Sequence, residues 1–314
     1  MNIQQLEYVV AVDNFRHFAK AAEACSITQP TLSMMIQKLE EELDVKIFDR
    51  SKHPVEPTAI GTQIIDQARI SLKHFKQIRD LVENEQQTVK GCFKLGIIPT
   101  IAPYLVPLLL EKQNADYPDL ELILKENTTA QLIDNLQKGV LDGGLLAGPL
   151  NHPDLLEFPV YYEQFYAYVS PLDALYQEKA IDMQTIDINN VWLLENEHCL
   201  RGQIERLCQM KRKAAVGENP SVKYESGSID TLIHIVDYNR GITIIPEMHA
   251  MGLDEEKQEN LRPFKNMTAV REVSVVVSKD FVRKTLLQHV IAMVKKSVPK
   301  SMQNPELKQF VVDL

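Results

Sequence analysis

Apolar side chains recur at helical spacing in the first stretch of the chain. They are Leu6, Val9, Val10, Phe18, Ala21 and Ala22. Residues three and four positions apart lie on one face of a helix, so this spacing predicts two short helices. Asn14 is the predicted break between them.

A third helix is predicted directly after the turn from Ser26 to Pro30. Thr28 can cap this helix, and Pro30 is tolerated in a first helical turn. The apolar stripe comprises Leu32, Met35, Ile36, Leu39 and Leu43, and the opposite face comprises Thr31, Ser33, Met34, Gln37 and Lys38. Two short helices joined by a tight turn are typical of a helix-turn-helix that enters the major groove of DNA. An ordinary helical hairpin has the same periodicity.

From Thr58 to about Val89 the pattern predicts one long amphipathic helix. Its apolar residues are Ile60, Ile64, Ile65, Ala68, Leu72, Phe75, Ile78, Leu81 and Val82. A helix of roughly 30 residues spans about 45 Å, and its apolar stripe needs a partner. Packing against its own domain is one way to cover that stripe. Lys90 and Gly91 mark the linker that follows.

After Gly91 the pattern changes to short apolar runs that alternate with helical segments. The predicted strands are 93–98, 120–124, 143–147, 167–169, 191–194, 222–225, 242–245 and 273–277, and the predicted helices are 103–113, 129–138, 229–238 and a last one ending near 298. Alternating strands and helices predict an α/β fold with a parallel sheet. The last strand and helix are expected to return to the first block, which gives two lobes and a cleft in which such folds place ligands.

Composition limits the class of protein. With 314 residues the chain is long enough for two or three domains, and its 45% hydrophobic content suits a globular protein. The net charge of −9, with no local excess of Lys and Arg in residues 1–60, argues against bulk attraction to nucleic acid. A DNA-binding interpretation therefore rests on pattern alone. No run approaches the roughly 18 apolar residues of a membrane span, and no leader is visible, so we expect a cytoplasmic protein without a membrane partner.

Two of the four cysteines, Cys199 and Cys208, lie nine positions apart. If a helix begins near Leu200, Cys199 lies at its N-terminus, where free N–H groups and the helix dipole favour a thiolate. Nine helical residues rise about 13–14 Å, whereas a disulfide tolerates a Cα separation of roughly 7 Å. Joining these cysteines would require the helix to unwind, which fits a redox switch. The alternative is that both are packing residues, as we expect for Cys25; Cys92 is assigned no role.

The other motif-like features indicate no cofactor. His198, Cys199 and Cys208 match no common zinc pattern. Residues 139–148 lack the ending of a phosphate-binding loop, and no nucleophile-elbow sequence occurs. We therefore predict no metal, no cofactor and no enzymatic activity. A thiol enzyme is the alternative, but it leaves the helix-turn-helix pattern unexplained.

The N-terminal segment resembles the LysR-type transcriptional regulators. The resemblance is carried by Ala19-Lys20-Ala21-Ala22, Thr28-Gln29-Pro30-Thr31-Leu32-Ser33, Ile36, Leu39-Glu40, Leu43, Ile47-Phe48-Asp49-Arg50 and Pro57-Thr58-Ala59-Ile60-Gly61. It implies a winged helix-turn-helix. The residues that it places at DNA are Gln29, Pro30, Thr31, Ser33 and Lys38 on the recognition helix and Arg50 and His53 near the wing. Asp44 stands where this family usually has Gly, and Met34 stands where a basic or amide side chain is common, so the base contacts differ in detail.

The resemblance also implies a domain organisation. It predicts a winged helix-turn-helix over 1–60, a linker and dimerisation helix over 61–90, and a two-lobed regulatory domain over 91–314 that is similar to periplasmic solute-binding proteins. Lobe I would comprise about 91–163 and 266–302, and lobe II about 164–265. The same helix of a second subunit would cover the apolar stripe of the linker helix.

The segment from Glu195 to Cys208 is similar to the redox switch of peroxide-sensing members of this family, as are Pro99-Thr100, Thr128-Thr129 and Gly241-Ile242-Thr243. The resemblance implies that hydrogen peroxide oxidises Cys199 to a sulfenic acid, which Cys208 captures as a disulfide. It also implies that Thr100, Thr129, His198 and Arg271 hold the peroxide.

The function implied by this resemblance is a peroxide-sensing activator of antioxidant genes. The expected partners are promoter DNA, a second copy of the chain in a homodimer or homotetramer, hydrogen peroxide, RNA polymerase, and a thiol reductant such as glutathione with glutaredoxin, or thioredoxin. The alternative is a LysR-type regulator that binds a small metabolite between the lobes, its cysteines being incidental.

Overall fold

The computed structural model describes residues 1–85, 89–116, 119–183, 186, 190–195, 199–207, 226–265 and 268–312. The chain forms two compact units. The first unit comprises Met1–Gln87 with Gln137–Val140, and the second unit comprises Thr88–Leu136 with Leu141–Leu314. In the described part of the chain, no helix is both long enough and apolar enough to cross a membrane.

The first unit is a helix-turn-helix followed by a hairpin and a long helix. Its elements are α1 (Ile3–Phe15), α2 (Phe18–Ala24), α3 (Gln29–Leu43), β1 (Phe48–Asp49), β2 (Glu56–Pro57) and α4 (Ala59–Glu85). The strands β1 and β2 pair antiparallel as a short wing. The predicted helix-turn-helix, wing and long helix are therefore confirmed.

Local sequence signals account for the boundaries of α3. The Thr28 hydroxyl accepts a hydrogen bond from the Thr31 N–H, and Pro30 occupies the first turn. Asp44 ends the helix in the left-handed region at φ 54°, which is why a glycine suits this position. The predicted apolar stripe is buried at Leu32, Ile36 and Leu39, whereas Leu43 is 38% exposed and was assigned to it wrongly.

The predicted break at Asn14 is also wrong, because α1 continues to Phe15. Arg16 closes α1 in the left-handed region at φ 51°, and its N–H donates to the Val12 carbonyl. His17 then caps α2 through ring Nδ1, which accepts from the Ala19 and Lys20 N–H groups. The stop signal thus lies two residues beyond the polar residue that suggested it.

The second unit alternates strands and helices. Its elements are β3 (Gly91–Ile97), α5 (Ala102–Asp116), β4 (Leu120–Glu126), α6 (Thr129–Gln137), β5 (Gly143–Gly148), β6 (Leu155–Val169), α7 (Cys199–Leu207), α8 (Ile229–Tyr238), β7 (Ile242–Pro246), α9 (Glu247–Met251), α10 (Glu255–Gln258), β8 (Leu261–Arg262), β9 (Val270–Ser278) and α11 (Lys284–Ser297). Short 3₁₀ turns cover Ala174–Gln177, Lys300–Gln303 and Pro305–Phe310.

The sheet is mixed, which corrects the predicted parallel sheet. The strand order is β4-β3-β5-β9-β6-β7, and β8 pairs with β6. Only the pairs of β3 with β4 and with β5 are parallel; the other pairings among the described strands are antiparallel. The returning strand β9 runs against β5 and β6, a direction that an alternating pattern of strands and helices does not reveal.

The long strand β6 joins two hydrophobic cores. Its first part pairs with β9, and its last residues pair with β7 and β8. The first core surrounds Phe93, Leu105 and Leu145. The second core surrounds Phe165 and Leu232, among others. The two predicted lobes are thus built around one continuous strand.

Two of the predicted strands, 191–194 and 222–225, are not among the described strands. The run 191–194 is not a strand, because only single bridges link Val191 to Ile242 and Leu194 to Ser226. The run 222–225 lies outside the described residues. The bounds of α8 coincide with the predicted helix 229–238.

Candidate functional site

Cys199 lies in α7 and is the first described residue of that helix. The apolar side chains of α7, Leu200, Ile204 and Leu207, are buried in the second core. Cys199 itself is half-buried and packs against the first core. A chemical change at this sulfur therefore acts where the two cores approach each other.

The start of α7 is fixed by Arg201. Its guanidinium Nη1 donates to the Leu194 carbonyl at 3.0 Å, and its Nε donates to Glu205 Oε1, also at 3.0 Å. The second contact lies one helical turn along α7 and stabilises the helix. The first contact attaches the helix to the segment before it, so α7 is held at its N-terminal end by more than its apolar face.

A buried ion pair lies beneath Thr100. Arg271 and Glu163 are both 0% exposed, and Arg271 Nε donates to Glu163 Oε1 at 2.7 Å. Arg271 Nη1 donates to the Thr100 hydroxyl at 3.0 Å, and Nη2 donates to the Thr100 carbonyl at 3.1 Å. The strand register places Glu163 opposite Arg271. Two of the predicted peroxide-binding residues, Thr100 and Arg271, are thus in direct contact.

The other predicted redox and peroxide residues are not part of the Thr100–Arg271 contact among the described residues. Thr129 is the first residue of α6 and is half-buried. Among the described residues, no hydrogen bond joins Thr129 or Cys199 to Thr100 or Arg271. His198 and Cys208 lie outside the described residues. Their roles stay predictions.

Glu163 was missed by the sequence analysis. It stands in a run of large apolar and aromatic side chains, between Tyr162 and Gln164. A carboxylate within such a run indicates a buried, paired charge, because ionised side chains are rarely buried without a partner. The sequence therefore indicates a buried charge at Glu163, but it does not identify Arg271 as the partner of that charge.

A cavity of about 90 Å³ opens beside Thr100. Its described lining comes from the α5 region on one side, from the start of α8 and from α9 on the other: Pro99, Thr100, Pro103, Tyr104, Glu126, Gly227, Ser228, Ile229, Asp230 and His249. Cys199 and Thr129 are not among these described lining residues. The cavity therefore borders the Thr100–Arg271 contact.

Tyr104 and His249 meet at this cavity. The Tyr104 hydroxyl lies 3.0 Å from His249 Nε2, and the two rings pack edge to face with centroids 4.5 Å apart. His249 is 1% exposed, and burial lowers the pKa of its imidazole to about 4, while nearby Asp230 opposes this shift. Burial is also the main cause that raises the pKa of the Tyr104 hydroxyl, so at neutral pH both side chains are uncharged.

The predicted DNA-binding residues lie on α3 and in the turn between β1 and β2. Gln29, Pro30, Thr31 and Lys38 are exposed on α3, and His53 is exposed in the turn of the wing. Ser33 is half-buried, because its hydroxyl accepts a hydrogen bond from Arg50 Nη1 at 2.9 Å. The recognition helix and the wing are thus linked by the Arg50–Ser33 contact.

Arg50 has two further partners within the unit. Its Nη2 donates to Glu40 Oε2 at 3.2 Å, and its guanidinium lies 4.9 Å from the centre of the Phe18 ring. Glu40 is 2% exposed, and its Oε1 accepts from the N–H groups of Ile47 and Phe48. Glu40 therefore fixes both the start of the wing and the guanidinium beside the recognition helix.

The apolar stripe of the long helix α4 is buried in one part and exposed in another. Ile65 and Ala68 are 2% and 3% exposed, and Ile65 belongs to the core of the first unit. Further along, the exposed fractions are 43% for Phe75, 61% for Ile78, 53% for Leu81 and 59% for Val82. Packing against its own domain therefore covers only the part of the apolar stripe around Ile65 and Ala68.

Both parts of the chain match models of one protein family. Residues 3–62 match the model described as bacterial regulatory helix-turn-helix protein, lysR family, and residues 86–299 match the LysR substrate binding domain.

Individual proteins resemble nearly the whole chain. A hydrogen peroxide-inducible genes activator of Haemophilus influenzae is 32% identical over 276 residues, which cover 88% of this chain and 90% of that protein. The DNA-binding transcriptional dual regulator OxyR of Escherichia coli is 33% identical over 248 residues, which cover 79% of this chain and 80% of that protein. The structure of a full-length OxyR variant of Pseudomonas aeruginosa is similar with a TM-score of 0.76 at 30% identity, and the match covers 94% of this chain and 98% of that one.

Proposed function

Because the chain belongs to the LysR family of bacterial transcriptional regulators, we propose that it senses hydrogen peroxide and controls the transcription of antioxidant genes. Peroxide oxidises Cys199, a disulfide forms with Cys208, and the altered subunit arrangement changes promoter binding. The names of its relatives, hydrogen peroxide-inducible genes activator and OxyR, support this proposal.

One observation carries the proposal: the position of Cys199. It is half-buried at the first described residue of α7 and packs against the first core, whereas the apolar face of the same helix belongs to the second core. A half-buried cysteine in this position is accessible to a small oxidant. Drawing its sulfur toward Cys208 pulls on a helix that contributes to the second core.

The proposed chemistry has two steps, an oxidation of Cys199 and the formation of the disulfide, and each step releases one water. The Cys199 thiolate attacks one peroxide oxygen, the O–O bond breaks, and the departing hydroxide takes a proton to leave as water, so that sulfur loses two electrons and becomes a sulfenic acid. The Cys208 thiol then displaces the sulfenic hydroxyl, which leaves as a second water, and the disulfide forms. A dithiol such as thioredoxin, or glutathione with glutaredoxin, returns two electrons and two protons.

The peroxide is proposed to lie near Thr100, with Thr129, His198 and Arg271 as the other members of its site. The cavity beside Thr100 measures about 90 Å³. Pockets for drug-sized ligands are roughly 300–1,000 Å³, and one water occupies about 30 Å³ of liquid. A cavity of this size suits peroxide and a few waters better than a large effector.

DNA recognition is proposed to use the exposed face of α3. Gln29, Thr31 and Ser33 are of the types that donate to or accept from base edges, Pro30 begins the helix, and Lys38 carries a charge suited to phosphate. Arg50 and His53 would reach the backbone from the wing. RNA polymerase is the proposed partner of the protein at the promoter bound in this way.

Assembly is proposed to use the exposed part of α4. Four large apolar side chains, Phe75, Ile78, Leu81 and Val82, are exposed along it. The same helix of a second copy would cover them in a homodimer, and two dimers would make a homotetramer. A two-fold axis presents two recognition helices, so half-sites are expected one turn of DNA apart, or a multiple of it.

A second candidate is a small metabolite bound in the same cavity. The observation that favours it is the polar lining contributed by Tyr104, Ser228 and His249. In that case the cysteines would be incidental, and operator binding would respond to a ligand in fully reduced protein. Peroxide would have no effect on the footprint.

One experiment separates these functions: thiol mapping and operator footprinting on the same sample, before and after one equivalent of peroxide. We expect a Cys199–Cys208 disulfide and a footprint of different length in the oxidised protein. Cys199→Ser should abolish the response, whereas Cys208→Ser should stop at the sulfenic acid. Cys25→Ser and Cys92→Ser are controls, because burial and nearby Glu7 raise the pKa of the Cys25 thiol and disfavour its thiolate. Identical footprints in both redox states would refute the switch.

A further inference from the structure

In the buried ion pair between Arg271 and Glu163, both oxygens of the carboxylate accept a hydrogen bond. Oε1 accepts from Arg271 Nε at 2.7 Å, and Oε2 accepts from the Met248 N–H at 3.1 Å. Arg271 lies on β9, Glu163 on β6, and Met248 in α9. The carboxylate therefore ties together three elements of the second unit, and each of its oxygens has a defined donor.

This arrangement determines which edge of Arg271 faces Thr100. The guanidinium is planar, and its Nε–H is used by Glu163. Its terminal nitrogens then form a fork on Thr100, with Nη1 donating to the hydroxyl and Nη2 donating to the carbonyl. Rotation of the guanidinium would break all three contacts, so its orientation depends on the carboxylate behind it.

The hydrogen bond from Arg271 orients the Thr100 hydroxyl. A hydroxyl carries one proton and two acceptor lone pairs. Because one lone pair accepts from Arg271, whose guanidinium carries N–H donors and no acceptor, the hydroxyl proton must point away from the guanidinium. Thr100 also lines the cavity. The result is a hydrogen-bond donor suited to an oxygen of a bound peroxide.

We infer that Glu163 is a positioning residue for the reaction of peroxide with Cys199: it holds Arg271 so that Thr100 donates to the peroxide. This inference rests on the proposed function. The residue does not touch the reacting atoms. Its effect passes through Arg271 and Thr100.

The test uses the ratio of two rates at Cys199 in the full-length protein. The first is the rate of oxidation by hydrogen peroxide, and the second is the rate of alkylation by iodoacetamide, both followed by mass spectrometry of the Cys199 peptide. Glu163→Gln retains the size of the side chain but presents an N–H₂ group to one of its two donors. We expect the peroxide rate to fall about 10- to 100-fold, the range for a misplaced catalytic group, while the alkylation rate changes less than about twofold.

The matched control is Glu157→Gln, on the same strand. Glu157 accepts hydrogen bonds from the backbone N–H groups of Leu150 and Asn151. The control should keep the wild-type ratio of the two rates. A merely structural role of Glu163 would change both rates together, whereas a positioning role lowers the peroxide rate selectively.

Two further variants make every outcome informative. Glu163→Asp retains the charge with a shorter side chain, and it replaces Glu163→Gln if that variant does not fold; a wild-type rate ratio in the folded variant would overturn the inference. Arg271→Met tests whether the guanidinium contributes to the peroxide site.

The outcomes distinguish the role of Glu163 from the proposed function. If wild-type Cys199 reacts with peroxide no faster than Cys25, the proposed function fails. If wild type is fast and Arg271→Met is slow, but the Glu163 variants match Glu157→Gln, only the role of Glu163 fails.

Discussion

The two units each contain an arginine that binds a hydroxyl and a glutamate, and they differ in burial. In the first unit, Arg50 contacts Ser33 and Glu40, and its side chain is 38% exposed. In the second unit, Arg271 contacts Thr100 and Glu163, and its side chain is 1% exposed. The same set of groups therefore serves two purposes: an exposed arginine can exchange its partners for a phosphate, whereas a buried one fixes the direction of its neighbours.

The largest expected difference is in stability. Arg271→Met leaves the Glu163 carboxylate buried without its counter-charge, and removing one partner of a buried pair costs about 3–5 kcal/mol. Arg50→Met should cost less, because the Arg50 side chain is 38% exposed and the buried Glu40 carboxylate keeps Lys46 and two backbone N–H donors. The free energy of unfolding of the second unit can be followed by the fluorescence of Trp192, the single tryptophan of the chain. Amide exchange in α1 to α3 reports on the first unit.

The double variant Glu163→Gln/Arg271→Met is the control for this prediction. It removes both charges, so it should be more stable than Arg271→Met alone. If the single variant lost no more stability than Arg50→Met, burial would not distinguish the two arginines.

The next prediction concerns pH and the buried His249. Its pKa is lowered from 6.5 to about 4 by burial, against the opposing effect of Asp230 and with smaller contributions from Arg271 and Lys257. Above pH 6.5 both the folded and the unfolded states are neutral at this residue. As the pH falls from 6.5 to about 4, the unfolded state takes up the proton first, and stability is lost by up to about 3 kcal/mol.

His249→Asn should remove this loss from the acid side of the stability profile. The matched control is His234→Asn, because the His234 side chain is 65% exposed. Unfolding followed by Trp192 fluorescence between pH 7.5 and 4 gives the comparison. Parallel acid profiles for wild type and His249→Asn would contradict the assignment of a neutral, buried imidazole.

How far the sequence predicts the molecule depends on whether the signals are local. The start of α3 was predicted because Thr28 and Pro30 are adjacent to the helix they begin. The strand β6 was predicted only at 167–169, because Pro159 interrupts its pattern and the register with β9 shifts between Pro159 and Tyr161. A proline within an apolar run hides the strand that continues through it.

The same rule applies to the sites. A helix that includes Cys199 is predicted from a local pattern, and Cys199 is the first described residue of α7. The partner of Arg271 is Glu163, 108 positions away, and only the register of β6 with β9 brings them together. The Arg50–Ser33 contact likewise depends on how the wing folds against α3. Individual residue types could be read from the sequence, but their long-range partners could not.

In the first unit, discrimination between operator and random DNA should fall on loss of a base contact. Gln29→Ala or Ser33→Ala should reduce it by about 1–3 kcal/mol per contact. Ser33→Ala also frees Arg50 from one partner, so its loss should exceed that of Gln29→Ala if Arg50 depends on this contact for its direction. Competition footprinting with operator and random DNA measures both. Wild-type selectivity in both variants would show that α3 does not read the bases.

The smallest expected effect is that of Arg50→Ala on the salt dependence of DNA binding. If the guanidinium leaves Glu40 and Ser33 for a phosphate, its removal releases one counterion fewer, and the slope of log K against log salt should become shallower by about one. Operator and random DNA should be affected alike, because phosphate contacts carry no sequence information. Lys38→Ala is the comparison, since Lys38 is exposed on α3 and should give a similar change in slope. If Arg50→Ala left the slope unchanged while Lys38→Ala reduced it, Arg50 would keep its internal partners on DNA and act, like Arg271, by orienting its neighbours.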